Sequence, residues 1–178
     1  MKSLIFLTAM ICGLVTFAGD IDINGDFKKL KGKMPVGWRQ NTGAWAKPMA
    51  EIEILKSDKG NALKVSSSKE TKASHVYSTK IIPVKKGDKV KLTVKMKGKG
   101  KAGIGIYVNG AKKWCFGSYK TIKLTEKLSK FTNIVTIRDR VKKGKVEVVA
   151  TLCKVVLESK ADTEVTYESV TVEVIPTK

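Results

Sequence analysis

Nine residues in the middle of the chain, Lys89-Val90-Lys91-Leu92-Thr93-Val94-Lys95-Met96-Lys97, alternate polar and apolar without a break. Successive side chains of a strand point to opposite faces, so Val90, Leu92, Val94 and Met96 share one apolar face and the lysines share a wet one with Thr93. A one-residue slip in pairing would turn the lysines into the core, which fixes the facing of this strand. The chain must therefore build a sheet with one covered face and find a second layer to cover it.

The same period of two recurs along the chain. Strands are expected over Ala50–Leu55, Ala62–Ser67, His75–Val84, Ile104–Val108, Lys112–Tyr119, Phe131–Arg138, Lys145–Leu157 and Glu164–Ile175. Turn chemistry separates them at Ser57-Asp58-Lys59-Gly60, Lys86-Gly87-Asp88, Gly98-Lys99-Gly100 and Lys143-Gly144. Asn109-Gly110 suits a two-residue type I′ hairpin turn, which needs positive φ at both positions. Lys145–Leu157 is apolar on both parities through Val149, Ala150 and Leu152, so it is a central strand or contains a bulge. No window carries a capped helical period. The expected fold is all-β, a two-sheet antiparallel β-sandwich of jelly-roll type.

Residues 1–18 read as an export signal: Lys2 is the positive end, Leu4 to Phe17 is largely apolar, and Thr16-Phe17-Ala18 offers the small residues before a cut at Gly19. The apolar run is shorter than the ~20 residues a membrane helix needs. Residues 19–178 are expected to form one domain, secreted, periplasmic or at the cell surface, with no transmembrane segment. The alternative for the leader is a retained anchor. With Cys12 removed, Cys115 and Cys153 either form one disulfide or stay buried thiols on separate strands, and both options are open.

The net charge of +19 is unevenly placed. Between Lys80 and Lys145 stand 20 Lys or Arg against Asp88, Glu126 and Asp139, whereas the rest of the chain past residue 18 holds 14 basic and 13 acidic residues. Arg39, Arg138 and Arg140 are the sole arginines. Lysine is a hydrated point charge without the planar fork that suits a specific anion pocket. The excess is thus diffuse attraction to anions or simply a solvated strand coat, and charge runs are more often the latter.

Four landmarks are ordered in a familiar way. Asn24-Gly25-Asp26-Phe27 resembles an opening strand, and Pro35-Val36-Gly37-Trp38 its Pro-x-Gly-Trp continuation. Ile82-Pro83-Val84-Lys85-Lys86-Gly87-Asp88-Lys89-Val90 resembles a mid-domain strand, tight turn and strand. Tyr167-Glu168-Ser169-Val170-Thr171-Val172 resembles the closing strand. Together they resemble carbohydrate-binding modules of the family 4, 9 and 22 type, which are galactose-binding-like jelly rolls. The resemblance implies a non-catalytic glycan binder. In that family an acidic residue often follows the opening Phe and an Asp stands in the closing strand, both helping to hold calcium. Lys28 and Glu168 occupy those places here, leaving Asp26 and Glu168 as the donors. A cation beside an ion that wants six to eight oxygens opposes it, so no calcium and no other cofactor is expected.

Chemistry has little to work with. His75 is the single histidine, with no carboxylate or cysteine near it in sequence. There is no nucleophile elbow, phosphate-cradling loop or Cys-x-x-Cys pair. Glycosidases need two carboxylates at a set separation. Glu51, Glu53, Glu164 and Glu168 read more simply as outward strand charges, so no enzyme is expected. Sugar binding needs flat aromatic surfaces and a few polar groups. Trp38, Phe27 and Phe131 read as core. Trp45, in a small-residue loop, is a lid or an exposed platform. Tyr107 shares a face with Gly103 and Gly105, which leaves room for a flat ligand or allows the sheet to bend under a packed ring. Tyr77 lies opposite Val76 and Ile82 in parity and so joins the Tyr107 face. Trp114 shares a face with Phe116. Arg39 and Gln40 are polar groups able to address hydroxyls. The expected ligand is a polysaccharide or other glycan. The alternatives are electrostatic binding of an acidic polymer through residues 80–145, with nucleic acid not expected, and structural docking of another exported protein.

Overall fold

The computed structural model describes residues 20–43, 47–57, 60–111 and 113–177. The predicted signal at 1–18, Trp45 and the Asp58-Lys59 turn tip lie outside the described residues. The strands are β1 (Leu30–Lys31), β2 (Met34–Pro35), β3 (Trp38–Gln40), β4 (Glu51–Ser57), β5 (Gly60–Ser67), β6 (Ala73–Ser78), β7 (Ile82–Pro83), β8 (Lys89–Lys99), β9 (Lys101–Asn109), β10 (Trp114–Lys123), β11 (Ser129–Thr136), β12 (Arg140–Lys142), β13 (Lys145–Val148), β14 (Leu152–Lys160) and β15 (Thr163–Ile175). Among the described residues there is no helix, and so none long and apolar enough to cross a membrane.

The alternating segment forms β8, inside a five-stranded sheet ordered β11-β8-β15-β5-β4. A second sheet runs β10-β9-β14-β6-β3, with β7 also pairing with β14. All these neighbours are antiparallel. The core lies between the sheets: Val90, Leu92, Val94 and Met96 are fully buried, as are Ile104, Ile106 and Val108 of β9. Each such side chain contributes about 1.5–3 kcal/mol by leaving water. Tyr167 of β15 is buried too, and its hydroxyl donates to the Glu158 carbonyl of β14 at 3.2 Å, which ties the two layers together and satisfies the one polar atom of the ring.

Several local expectations need correcting. Asn24–Phe27 is a turn, not a strand, with Asn24 and Phe27 at positive φ (52° and 56°). The Asn24 amide explains it, since it donates to the carbonyls of Lys29 (2.8 Å) and Val36 (2.9 Å) and accepts from the Lys29 N–H. A side chain that satisfies the backbone locally replaces a strand ladder. Phe27 is then driven into the core edge-on to Trp38, with ring centroids 5.6 Å apart. The β9–β10 hairpin exists, but Asn109 is its last ladder residue, opposite Trp114, and the Gly110 N–H donates to Lys113, so the turn is longer than two residues. Lys145–Leu157 is not one strand: β13 pairs with β12 in a separate hairpin, and the chain breaks at Val149-Ala150-Thr151 before β14. His75–Val84 likewise divides into β6 and β7. Cys115 and Cys153 are both buried and unbridged, so of the two options it is the pair of thiols that is seen.

Candidate functional site

The core-facing side of the β10-β9-β14-β6-β3 sheet is settled by its aliphatics, so the opposite side carries whatever alternates with them. Read across the ladder, that outer face presents four rows. The first holds Leu152, Asn109 and Trp114, and the second Lys154, Tyr107 and Gly117. The third is Arg39, Tyr77, Val156, Gly105 and Tyr119, and the fourth His75, Glu158, Gly103 and Thr121. Tyr77 and Tyr107 share this face as their parity predicts. A groove of about 330 Å³ opens between them, lined by Asn41, Tyr77, Tyr107, Asn109, Trp114 and Lys154.

Trp114 reaches the groove for a reason that parity hides. The register shifts between Trp114 and Phe116, so Cys115 is the extra residue of a β-bulge. Trp114 therefore stands beside Asn109 on the outer face, while Phe116 stands beside Val108 and packs on the core. The two do not share a face, contrary to the strict alternation. Trp114 is 54% exposed, and its carbonyl accepts from Arg140 at 3.1 Å.

Gln40 does not address the groove. It pairs with Val76 on the inner parity, and its amide donates to the Ala50 carbonyl at 2.7 Å, which anchors the sheet edge. Arg39, one residue earlier, is exposed on the outer face directly across from Tyr77. The space beside Gly103 and Gly105 is not open to a ligand either. A Cβ at 103 would lie 2.6 Å from Glu158 Oε2 and one at 105 would lie 2.0 Å from the Ser118 carbonyl oxygen. Those glycines serve close packing, and the open space lies on the Asn109 side of Tyr107. Gly117 clears room for the rings of Tyr107 and Tyr119, whose atoms would be 3.5 and 3.2 Å from its Cβ.

The wall behind Tyr107 is a polar cluster that local sequence gave no sign of. His75 Nε2 lies 3.1 Å from Glu158 Oε1, and the Tyr107 hydroxyl lies 2.5 Å from His75 Nδ1. An ionised carboxylate can only accept, so Nε2 carries a proton toward Glu158, and Nδ1 is the ring nitrogen that meets the Tyr107 hydroxyl. Lys160 adds a second donor to Glu158 at 2.7 Å. Burial alone would raise the Glu158 carboxyl, but the hydrogen bonds from His75 and Lys160 outweigh it and hold the group below the usual range. Burial first of all pushes the Tyr107 and Tyr119 phenols up, which keeps both protonated. Tyr119 stacks on His75 and meets Tyr107 edge-on, with centroids 5.8 and 5.9 Å apart. Glu158 stands 83 residues from His75, so no local pattern signals the pair.

A second depression, about 410 Å³, lies where Cys115 and Phe116 meet Arg138–Val141. Three of its polar side chains are engaged within the protein. Arg138 covers the Phe116 ring at 5.3 Å, Arg140 pairs with Glu147 at 2.8 Å and Asp139 accepts from the Ala150 N–H. At the opening turn Asp26 pairs with Lys28 at 3.1 Å, and among the described residues no three metal-ligating side chains cluster. The lysines of β8 cover the outer face of the other sheet, with Lys91 bound to Glu173 and Lys99 to Glu126.

No protein-family model matches the sequence, and no curated protein matches it either. Solved structures do. The enzymatically active domain of tailspike protein 4 of bacteriophage CBA120 superposes with a TM-score of 0.61 at 12% identity over 85% of this chain, which spans only 21% of that one. The family 11 carbohydrate-binding module of a cellulosomal cellulase of Clostridium thermocellum gives 0.57 at 11% identity, covering 91% of this chain and 97% of the module. A family 22 xylan-binding domain from Paenibacillus barcinonensis gives 0.53 at 12%, covering 86% and 94%. At such identities the likeness is one of fold, and the fold of this chain is the β-sandwich of the carbohydrate-binding modules.

Proposed function

We propose that this chain is an exported, non-catalytic carbohydrate-binding module that holds a glycan in the groove of Tyr77, Tyr107 and Trp114. The observation that carries this reading is the convergence of three aromatic side chains from β6, β9 and β10 on one exposed depression, with Asn41 and Asn109 beside them. A sugar ring offers apolar C–H faces and a polar rim. Flat aromatic side chains cover the apolar face, and amides supply orientation. Among the described residues the groove lining contains no carboxylate, and Glu158, on the same face, is held by His75 and Lys160, so the paired acids of a glycosidase are missing from that described lining. Isothermal titration and affinity electrophoresis on a panel of neutral and acidic polysaccharides test the reading. Failure of the folded protein to bind any of them removes it.

A second reading, electrostatic binding of a polyanion on the other sheet, draws on Lys95 and Lys130 standing directly opposite each other across β8 and β11. Like charges so placed are destabilising unless something offsets them. This mode weakens steeply as salt rises, whereas stacking on a neutral sugar does not.

A further inference from the structure

The groove is aromatic, but it is not electrically neutral. Lys154 lies in its floor, paired in register with Tyr107, and its ammonium sits 5.9 Å from the centroid of the Tyr77 ring. Arg39, exposed on β3, is paired in register with Tyr77 on the side of β6 away from Lys154. Among the described residues neither cation has a carboxylate within ion-pair distance, whereas Lys28, Lys64, Lys91, Lys99, Arg140 and Lys160 all do. Glu158, on the same face as Lys154, stands two ladder rows away, bonded to His75 and Lys160.

We propose that the groove selects an acidic glycan, one whose pyranose rings carry a C6 carboxylate. This rests on the glycan-groove reading above and sharpens it. A sugar stacked face-on against the exposed Trp114 ring projects its C6 substituent from the ring edge into the groove. Lys154 stands in that groove with its ammonium over the Tyr77 ring, and Arg39 stands on β3 directly across from Tyr77. A C6 hydroxymethyl there leaves both cations without an anion, and a C6 carboxylate supplies one. The aromatic faces hold the ring, and the two cations read its charge. Arg39 presents a planar fork that matches a carboxylate, which a lysine alone does not.

The test uses polygalacturonate and the same polymer after chemical reduction of its carboxyls, so that backbone and linkage stay constant and only charge changes. Dextran sulfate serves as a sulfated control. The expected result is preference for the carboxylate form at 50 mM salt, with Lys154→Met and Arg39→Met each reducing that preference about fivefold, read as the ratio of the Kd values for the two polymers. Trp114→Ala weakens binding of both forms. Equal binding of the two polymers by the wild type, or a preference untouched by Lys154→Met, overturns the inference and leaves the groove reading standing. Tighter binding of dextran sulfate than of polygalacturonate overturns the assignment to carboxylate. Polyanion binding that ignores both Lys154→Met and Trp114→Ala places the attraction on the lysine-covered sheet and overturns the inference as well. Binding of none of the polymers, and of no neutral glycan, removes both readings together.

Discussion

Replacing Glu158 by Gln keeps the side-chain shape against Gly103 and deletes only the charge. The carboxylate accepts from His75, whose side chain is 11% exposed, and from Lys160, which is 41% exposed. A buried hydrogen bond to a charged group is worth about 1.5–3 kcal/mol against 0.5–1.5 for a neutral one, so the His75 contact loses about 1 kcal/mol. The partly solvated Lys160 pair adds under ~1 kcal/mol. Glu158→Gln is thus expected to cost about 1–2 kcal/mol at pH 7, a fall in Tm of about 3–6 °C for a domain of this size. Because the folded-state carboxyl is held below its ordinary value, its contribution is complete above the unfolded value of about 4.3 and drains away as pH falls through the folded one. Protonated Glu158 resembles Gln, so the wild type at acid pH becomes its own variant. Calorimetry from pH 7 to pH 3 should therefore show the two Tm curves converging below about pH 4. A gap that stays constant down to pH 3, or no gap at pH 7, would refute the assignment of this cluster as a charge-assisted anchor for Tyr107.

Trp114→Ala removes a ring that is 54% exposed. If a sugar covers one face, about 70 Å² of apolar surface is lost from the complex, near 1.7 kcal/mol or roughly 15-fold in Kd, with Tm unchanged, as titration and calorimetry on the same sample would read. Phe27→Ala empties a fully buried site against Trp38 and is expected to lower stability by about 3–5 kcal/mol in urea titrations. Burial pushes the Cys153 thiol up to about 12, so iodoacetamide at pH 8 should leave it unlabelled in the native protein and label it fully in urea without reductant. Labelling of neither cysteine in urea would reveal a disulfide instead.

The period of two is a local property, written residue by residue. It therefore determined on its own that β8 faces Val90, Leu92, Val94 and Met96 inward, that the chain is a two-layer sandwich, and that Tyr77 and Tyr107 stand on the face away from the core. Trp38 was legible as core from its resemblance to the family's Trp after the turn glycine, whereas the turn that places Phe27 rests on one Asn24 amide whose partners lie up to 12 residues away. What only the tertiary structure decided is which strands lie side by side. Placing β14 between β6 and β9 brings Glu158 to His75 and Lys154 to Tyr107, pairs separated by 83 and 47 positions that no window along the chain contains. The bulge at Cys115 is equally invisible from the alternation it interrupts, because an extra residue is defined only against the partner strand. That one residue puts Trp114 in the groove and Phe116 on the core. Facing follows from the sequence, whereas adjacency and register are set by long-range pairing, and the groove is made of adjacency.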